Sequence, residues 1–67
     1  MFKATLDGNT LTVSGAEGQH VTITDMAGHC ILSTFCQQHN MLVALPTKGL
    51  YIVNVGTSAP LKVCYLR

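Results

Sequence analysis

The feature that most constrains the fold of this chain is a two-residue alternation of apolar and polar side chains, repeated in short runs. Leu11 and Val13 alternate with threonine and serine, and Val21 and Ile23 alternate with histidine and threonine. Successive side chains of a strand point to opposite faces, so each run predicts a half-buried β-strand. A helix would need a period of about 3.6 residues, and no segment of useful length shows one.

About seven such runs follow one another at intervals near 8–12 residues, which favours an all-β sandwich or barrel. The predicted strands cover residues 2–6, 10–14, 20–24, 29–35, 41–45, 50–55 and 61–66. Residues 41–45 are apolar on both sides, which predicts a central or covered strand. Two small sheets packed face to face would bury one face of each strand.

The strongest strand, residues 50–55, predicts where the core lies. Its alternate residues share one face, and we expect that face to meet the alternating residues of the second and third runs. The predicted core residues are Leu11, Val21, Ile23, Tyr51, Val53 and Val55.

Two turn regions punctuate the strands. Asp25 and Gly28 bracket a predicted tight turn, in which the aspartate accepts backbone N–H bonds and the glycine supplies a positive φ. Pro46 and Gly49 end the strand at 41–45 and redirect the chain into the strand at 50–55.

Length and charge limit the partners of the chain. Its 67 residues, of which 48% are hydrophobic, make a single ordered domain. Only 10% of the residues are charged, and the cations are scattered, whereas nucleic-acid binding needs a clustered basic face. No apolar run approaches the ~20 residues that span a bilayer. We therefore expect neither a nucleic-acid partner nor a membrane-spanning segment.

The acidic and histidine residues do not form a convincing catalytic set. Asp7, Glu17 and Asp25 each lie in a predicted turn, where such acids mostly hydrogen-bond local backbone. His29 and Cys30 are adjacent, so on a strand they face opposite sides and do not readily pair as base and nucleophile. We predict a protein that is not an enzyme, with no catalytic residues and no cofactor.

The cysteines number three, Cys30, Cys36 and Cys64, so they cannot all pair within one chain. The favoured interpretation is that two or three of them are buried apolar residues, with a disulfide or a metal or reactive role as alternatives. Cys36 and His39 offer one close ligand pair, whereas structural zinc sites usually show two. No metal site is predicted.

Three segments of the chain resemble the C-terminal sorting domain of the type IX secretion system of Bacteroidetes. The first, residues 18–31, carries the family's glycine, valine, aspartate and glycine at the family's spacing. The second, residues 45–55, carries its Leu-Pro, glycine and Tyr-x-Val pattern with one added residue before the glycine. The third, residues 61–67, looks like its final basic-apolar strand.

The resemblance covers roughly residues 9–67, and it departs from the family at three places. Cys64 and Tyr65 stand where small aliphatic residues are commoner. The family's early Pro-Asn-Pro-type segment is absent, and His29 stands where Arg or Lys is usual. The residues that the resemblance assigns to the sorting motif are Gly18, Val21, Asp25, Gly28, Leu45, Pro46, Gly49, Tyr51, Val53, Lys62 and Arg67.

The resemblance implies an immunoglobulin-like β-sandwich of about seven short, mainly antiparallel strands. It also implies a non-enzymatic sorting module, the C-terminal part of a larger parent protein, recognised by outer-membrane export machinery. The expected location is then the periplasm, outer membrane or exterior, with any signal peptide on a region outside this chain. The alternative is an accessory or adhesion domain that binds protein or glycan. In either case the apolar strand at 61–66 is open to pairing with another copy or a receptor.

Overall fold

A computed structural model describes residues 2–66 and confirms the all-β prediction, with seven strands and no helix among these residues. The strand bounds differ from the predicted ones by at most one residue at either end, because the alternation ends where the turn residues begin. The strands are β1 (Lys3–Asp7), β2 (Thr10–Ser14), β3 (His20–Asp25), β4 (Cys30–Phe35), β5 (Asn40–Ala44), β6 (Gly49–Val55) and β7 (Leu61–Tyr65).

The strands form two antiparallel sheets, one ordered β1-β2-β5 and the other β4-β3-β6-β7. Constant-type immunoglobulin domains place their fourth strand beside the fifth, whereas here β4 pairs with β3. The turn between β3 and β4 is short, and two strands joined by a tight turn pair directly as a hairpin. The fold is therefore a small immunoglobulin-like sandwich whose fourth strand lies in the larger sheet.

The core lies between the inner faces of the two sheets, where the alternating residues of β2, β3 and β6 meet. Every residue predicted for the core is buried, so that prediction is confirmed. Tyr51, Leu11 and Ile23 are the largest of the fully buried side chains among residues 2–66. Burying each such side chain stabilises the fold by ~1.5–3 kcal/mol, and no charged or polar residue in the described range is buried beside them.

The prediction of a central or covered strand at residues 41–45 is wrong. The strand there, β5, is an edge of the smaller sheet and bonds only to β2. Met41 and Val43 pack against the core, whereas Leu42 points outward and is 68% exposed. An isolated exposed leucine is common on protein surfaces, so apolar residues on both sides of a strand do not by themselves require a cover.

The expectation that two or three cysteines are buried is also wrong. Cys36 is buried, but Cys30 and Cys64 are exposed, and all three are free thiols. Cys30 pairs with Thr24, and Cys64 pairs with Leu50, both of which point away from the core. The exposed cysteines therefore lie on the outer face of the larger sheet, on its two edge strands.

The residues that the structure describes contain no helix long and apolar enough to cross a membrane.

Candidate functional site

The two best-matched motif segments meet at one end of the larger sheet, where β3 ends and β6 begins. Asp25, the last residue of β3, is the register partner of Tyr51 on β6. The turn after β3 and the corner before β6 therefore face each other across a shallow depression of about 220 Å³. We call it the turn–corner depression, and it is lined by residues 25–27 and 47–51.

The turn side of the depression is organised by Asp25. One oxygen of its carboxylate, Oδ1, accepts the backbone N–H groups of Ala27 at 2.9 Å and His29 at 2.8 Å. The N–H of Gly28 donates to the carbonyl of Asp25 at 3.1 Å, and Gly28 has a φ of 89°. Glycine populates positive φ without the penalty of a Cβ, so the predicted roles of Asp25 and Gly28 are confirmed.

The same contacts fix the charge of Asp25. The backbone N–H of His29 is the largest cause that lowers the pKa of the Asp25 carboxyl, and the His29 ring, whose Nδ1 lies 3.2 Å from Oδ2, adds to the effect. Partial burial opposes them, but the net pKa is below the ordinary value of 3.8. Asp25 is therefore an ionised anchor of the turn at neutral pH, and it is a poor proton donor.

The corner side of the depression is organised by Tyr51. Its ring is buried with 2% exposure. Its hydroxyl donates to the carbonyl of Thr47 and accepts the Thr47 N–H at 3.3 Å. Immunoglobulin-like sandwiches carry a tyrosine at this corner, bonded to backbone a few residues upstream. The alternation predicted that the ring is buried but gave no sign of these hydroxyl bonds.

Leu45, Pro46 and Gly49 complete the corner. Leu45 is buried, and its N–H donates to the carbonyl of Asn9 at 2.8 Å, which ties the corner to the β1–β2 turn. Pro46 is exposed just after it, and Gly49 opens β6 opposite Tyr65. The predicted change of direction at Pro46 and Gly49 is confirmed.

The remaining motif residues lie elsewhere in the sandwich. Val21 and Val53 are core residues of β3 and β6. Gly18 lies at the opposite end of β3, where its N–H donates to the carbonyl of Cys36 at 2.9 Å. Lys62 is exposed on β7, and Arg67 lies outside the described residues. Only some of the motif residues therefore lie close together, and they do so at the turn–corner depression.

Comparison with protein families gives one match, which covers almost the whole sandwich. Residues 3–64 match a family described as a domain of unknown function, DUF6383. The chain belongs to the DUF6383 family. No curated protein matches it. The match runs from the start of β1 into β7, so the turn–corner depression lies within the DUF6383 domain.

Three residues of the DUF6383 domain offer contacts at the depression that the sequence did not single out. Met26 is 60% exposed on the turn, and Leu50 and Lys48 are exposed on the corner. They occupy positions between the motif residues, so neither alternation nor resemblance pointed to them. A methionine, a leucine and a lysine together offer an adaptable apolar surface with one positive charge.

The other chemistry-bearing side chains of the DUF6383 domain are dispersed. Across residues 2–66, no group of three or more His, Cys, Asp and Glu side chains is placed to hold a metal ion. His20 Nε2 lies 2.8 Å from Ser33 Oγ on the open outer face of the larger sheet. Activation of a serine requires a base oriented by a third group, usually in a site shielded from water. The turn–corner depression, where two motif segments meet, is thus the candidate site.

Proposed function

We propose that this DUF6383 domain is a non-enzymatic sorting module that outer-membrane export machinery of Bacteroidetes recognises. On this proposal the domain acts in the periplasm, at the outer membrane or outside the cell, and its partner is a protein. The observation that carries the proposal is the pairing of Asp25 with Tyr51, which joins two motif segments that lie far apart in the chain.

The internal bonds of the motif support a role in recognition. The Asp25 carboxylate is occupied by turn N–H groups, and the Tyr51 hydroxyl is occupied by the Thr47 backbone. Residues whose hydrogen-bonding groups are already occupied fix the backbone of the turn and the corner. Contact with a partner is then made by their exposed neighbours. In this domain those neighbours are Met26, Lys48 and Leu50, which form a small apolar patch with a positive edge.

A reporter fusion in a Bacteroidetes host tests the proposal. The chain is attached to the C-terminus of a periplasmic fluorescent protein, and the fraction of reporter on the cell surface and in the medium is measured. We expect surface delivery that is lost when the host's type IX machinery is deleted. Retention of the reporter in the periplasm of the intact host would refute the sorting role.

Variants of the depression make the test specific. The double variant Met26→Ser/Leu50→Ser removes the apolar contacts and should strongly reduce surface delivery. Leu42→Ser, on the edge strand of the other sheet, is the control because Leu42 is also an exposed apolar residue. Circular dichroism and protease resistance show whether each variant is folded. Equal delivery of the double variant and the control would show that recognition does not depend on the depression.

The second candidate function is a glycan-binding accessory domain, and the outer face of the larger sheet favours it. Ser33, Thr22 and Asn54 lie side by side in register across three strands, near the exposed ring of Phe35. Hydroxyl and amide groups beside an aromatic ring can bond and stack on a sugar. Binding of bacterial polysaccharide that is lost in Phe35→Ser, with no surface delivery of the reporter, would favour this function.

A further inference from the structure

Each sheet has two edge strands, and on one side of the sandwich the edge strands β1 and β7 lie side by side. β1 bonds only to β2, and β7 bonds only to β6, so each is an edge strand of its sheet. Phe2 lies beside Leu61 at one end, and Leu6 lies beside Cys64 at the other. The strands therefore run in the same direction without hydrogen bonds between them. We call this gap the β1–β7 seam.

A hollow lies at each end of the seam. The first, of about 510 Å³, is walled by Phe2, Ala59 and Leu61 together with Ser58. The second, of about 300 Å³, is walled by Leu6, Gly8, Cys64 and Leu66. Phe2 directly precedes β1 and Leu6 lies on it, so the two are four positions apart, about 13 Å in an extended chain at ~3.3 Å per residue. The hollows therefore match side chains i and i+4 on one face of an extended chain.

Two exposed lysines lie next to wall residues of the first hollow in the sequence. Lys3, the first residue of β1, follows Phe2, and Lys62 follows Leu61 on β7. Among residues 2–66, those that wall the two hollows carry no charged group. An extended segment in the seam would therefore be favoured by an acidic residue next to the side chain that fills the first hollow.

We propose that the β1–β7 seam binds an extended, acidic-apolar peptide segment of another protein, which adds to the free edge of β7 as a fifth strand of the larger sheet. The free N–H and C=O groups of β7 supply main-chain bonds, and the two hollows select apolar side chains four residues apart. The hollows of the seam share no lining residue with the turn–corner depression, and the proposal holds whether or not the domain serves in export.

The charges of the edge strands argue against a second copy of this chain as the occupant. β4 and β5 carry no charged residue, and β7 would bring a second Lys62 toward the first. β1 carries Asp7, but it also brings Lys3. Like charges placed opposite each other across a strand pair are destabilising, so a foreign acidic strand fits the seam better than any edge of the same protein.

The two exposed cysteines supply a direct test, because Cys64 walls the second hollow and Cys30 lies on the opposite edge of the same sheet. The probe is a synthetic peptide of about ten residues, with leucines four apart, threonines elsewhere and a glutamate beside the first leucine. Alkylation by iodoacetamide is followed at each cysteine by mass spectrometry. We expect the Cys64 rate to fall about tenfold when ~90% of the domain is bound, with the Cys30 rate unchanged.

Three outcomes would overturn the proposal. Cys64 that stays fully reactive at millimolar peptide shows that the seam does not bind, and equal protection of both cysteines shows non-specific association. Protection of Cys64 on concentrating the domain without peptide shows that a second copy is the occupant. The same peptide with lysine in place of glutamate should protect less, and equal protection would contradict the role of Lys3 and Lys62.

Matched variants locate the binding. Leu66 walls the second hollow and Leu42 lies on β5, and each is 68% exposed. We expect Leu66→Lys to raise the dissociation constant of the peptide about tenfold and Leu42→Lys to leave it unchanged. The constant is measured from the Cys64 protection curve. Lys62→Glu should weaken binding, whereas Lys48→Glu at the turn–corner depression should not. Equal effects within either pair would place the peptide outside the seam.

Discussion

The turn–corner end and the β1–β7 seam, two boundaries of the sandwich, differ in hydrogen bonding and packing. At the turn–corner end, Asp25 and Tyr51 saturate their polar groups with backbone partners, and the Tyr51 ring is buried. At the seam, two edge strands lie together without hydrogen bonds and enclose two apolar hollows. Each region includes part of the larger sheet, β3 and β6 at the turn–corner end and β7 at the seam.

The difference assigns stability and binding to different parts of the domain. A chain of 67 residues buries only ~60% of the surface of its unfolded chain, less than a larger domain does, so a few well-packed side chains account for much of its stability. Changes at the turn–corner end should therefore cost the most stability, and changes at the seam should cost little. Two tyrosines, Tyr51 at the corner and Tyr65 on β7, allow a direct comparison.

The largest effect is expected for Tyr51→Ala. Loss of a fully buried aromatic ring leaves a cavity and removes its contacts, which costs about 3 kcal/mol or more, close to the whole stability of a small domain. Tyr65→Ala, at a half-buried position, should cost only ~1–2 kcal/mol. Urea denaturation followed by circular dichroism measures both. If the two variants lose the same stability, the corner is no better packed than the seam.

The next effect isolates the hydroxyl of Tyr51. Tyr51→Phe keeps the ring but removes the bonds to the Thr47 backbone, and a typical net loss for such bonds is about 1 kcal/mol. The exposed Thr47 can bond to water instead, which limits the loss. Tyr65→Phe is the control and should change the free energy of unfolding very little. If Tyr51→Phe leaves the free energy of unfolding unchanged, the corner is stabilised by packing alone.

The strands and the core face could be predicted from the sequence because they depend on a local period. The hydrophobic alternation of β2, β3 and β6 fixes which side chains face inward, whatever the neighbouring strand is. Asp25 and Gly28 were predictable for the same reason, since a tight turn is built from residues adjacent in the chain. This local information was therefore enough to predict the turn side of the turn–corner depression.

What depends on distant neighbours could not be predicted. Leu42 was expected to be covered, but β5 has a neighbour on one side only. Two or three of the cysteines were expected to be buried as apolar residues, but Cys30 and Cys64 lie on edge strands and face outward. The seam exists because β1 and β7 are brought together from the two ends of the described chain. No local pattern encodes that contact, so the hollows were invisible in the sequence.

A smaller effect at the turn–corner end depends on pH. Because the folded pKa of Asp25 lies below its ordinary value of 3.8, its contribution to stability is present above that pH and is lost as the pH falls through the folded pKa. Asp25→Asn keeps an acceptor for the turn but removes the charge. We expect wild type to be the more stable at pH 7, and the gap to close in acid. A gap that persists at low pH would contradict the charge effect.

The His29 ring and its backbone N–H can be separated in the same experiment. The backbone N–H is the larger cause of the lowered pKa, and a substitution of the side chain retains it. His29→Ala should therefore leave the pKa of Asp25, measured by NMR titration of its carboxyl carbon, still below 3.8, though closer to it. A return to the ordinary pKa would show that the ring, and not the turn, holds the carboxylate.

The smallest effect on stability is expected at the seam, where the same change should have the largest effect on binding. Leu66 is 68% exposed at the second hollow, so Leu66→Lys removes little buried surface and should alter the free energy of unfolding by less than ~0.5 kcal/mol. Tyr51→Phe should do the reverse, with reduced stability and an unchanged dissociation constant for the acidic-apolar peptide. Urea denaturation and Cys64 protection, measured on both variants, test whether their effects on stability and on binding are opposite. If Leu66→Lys lowers stability as much as Tyr51→Phe does, the seam is part of the packed core, and an added strand has no open edge to join.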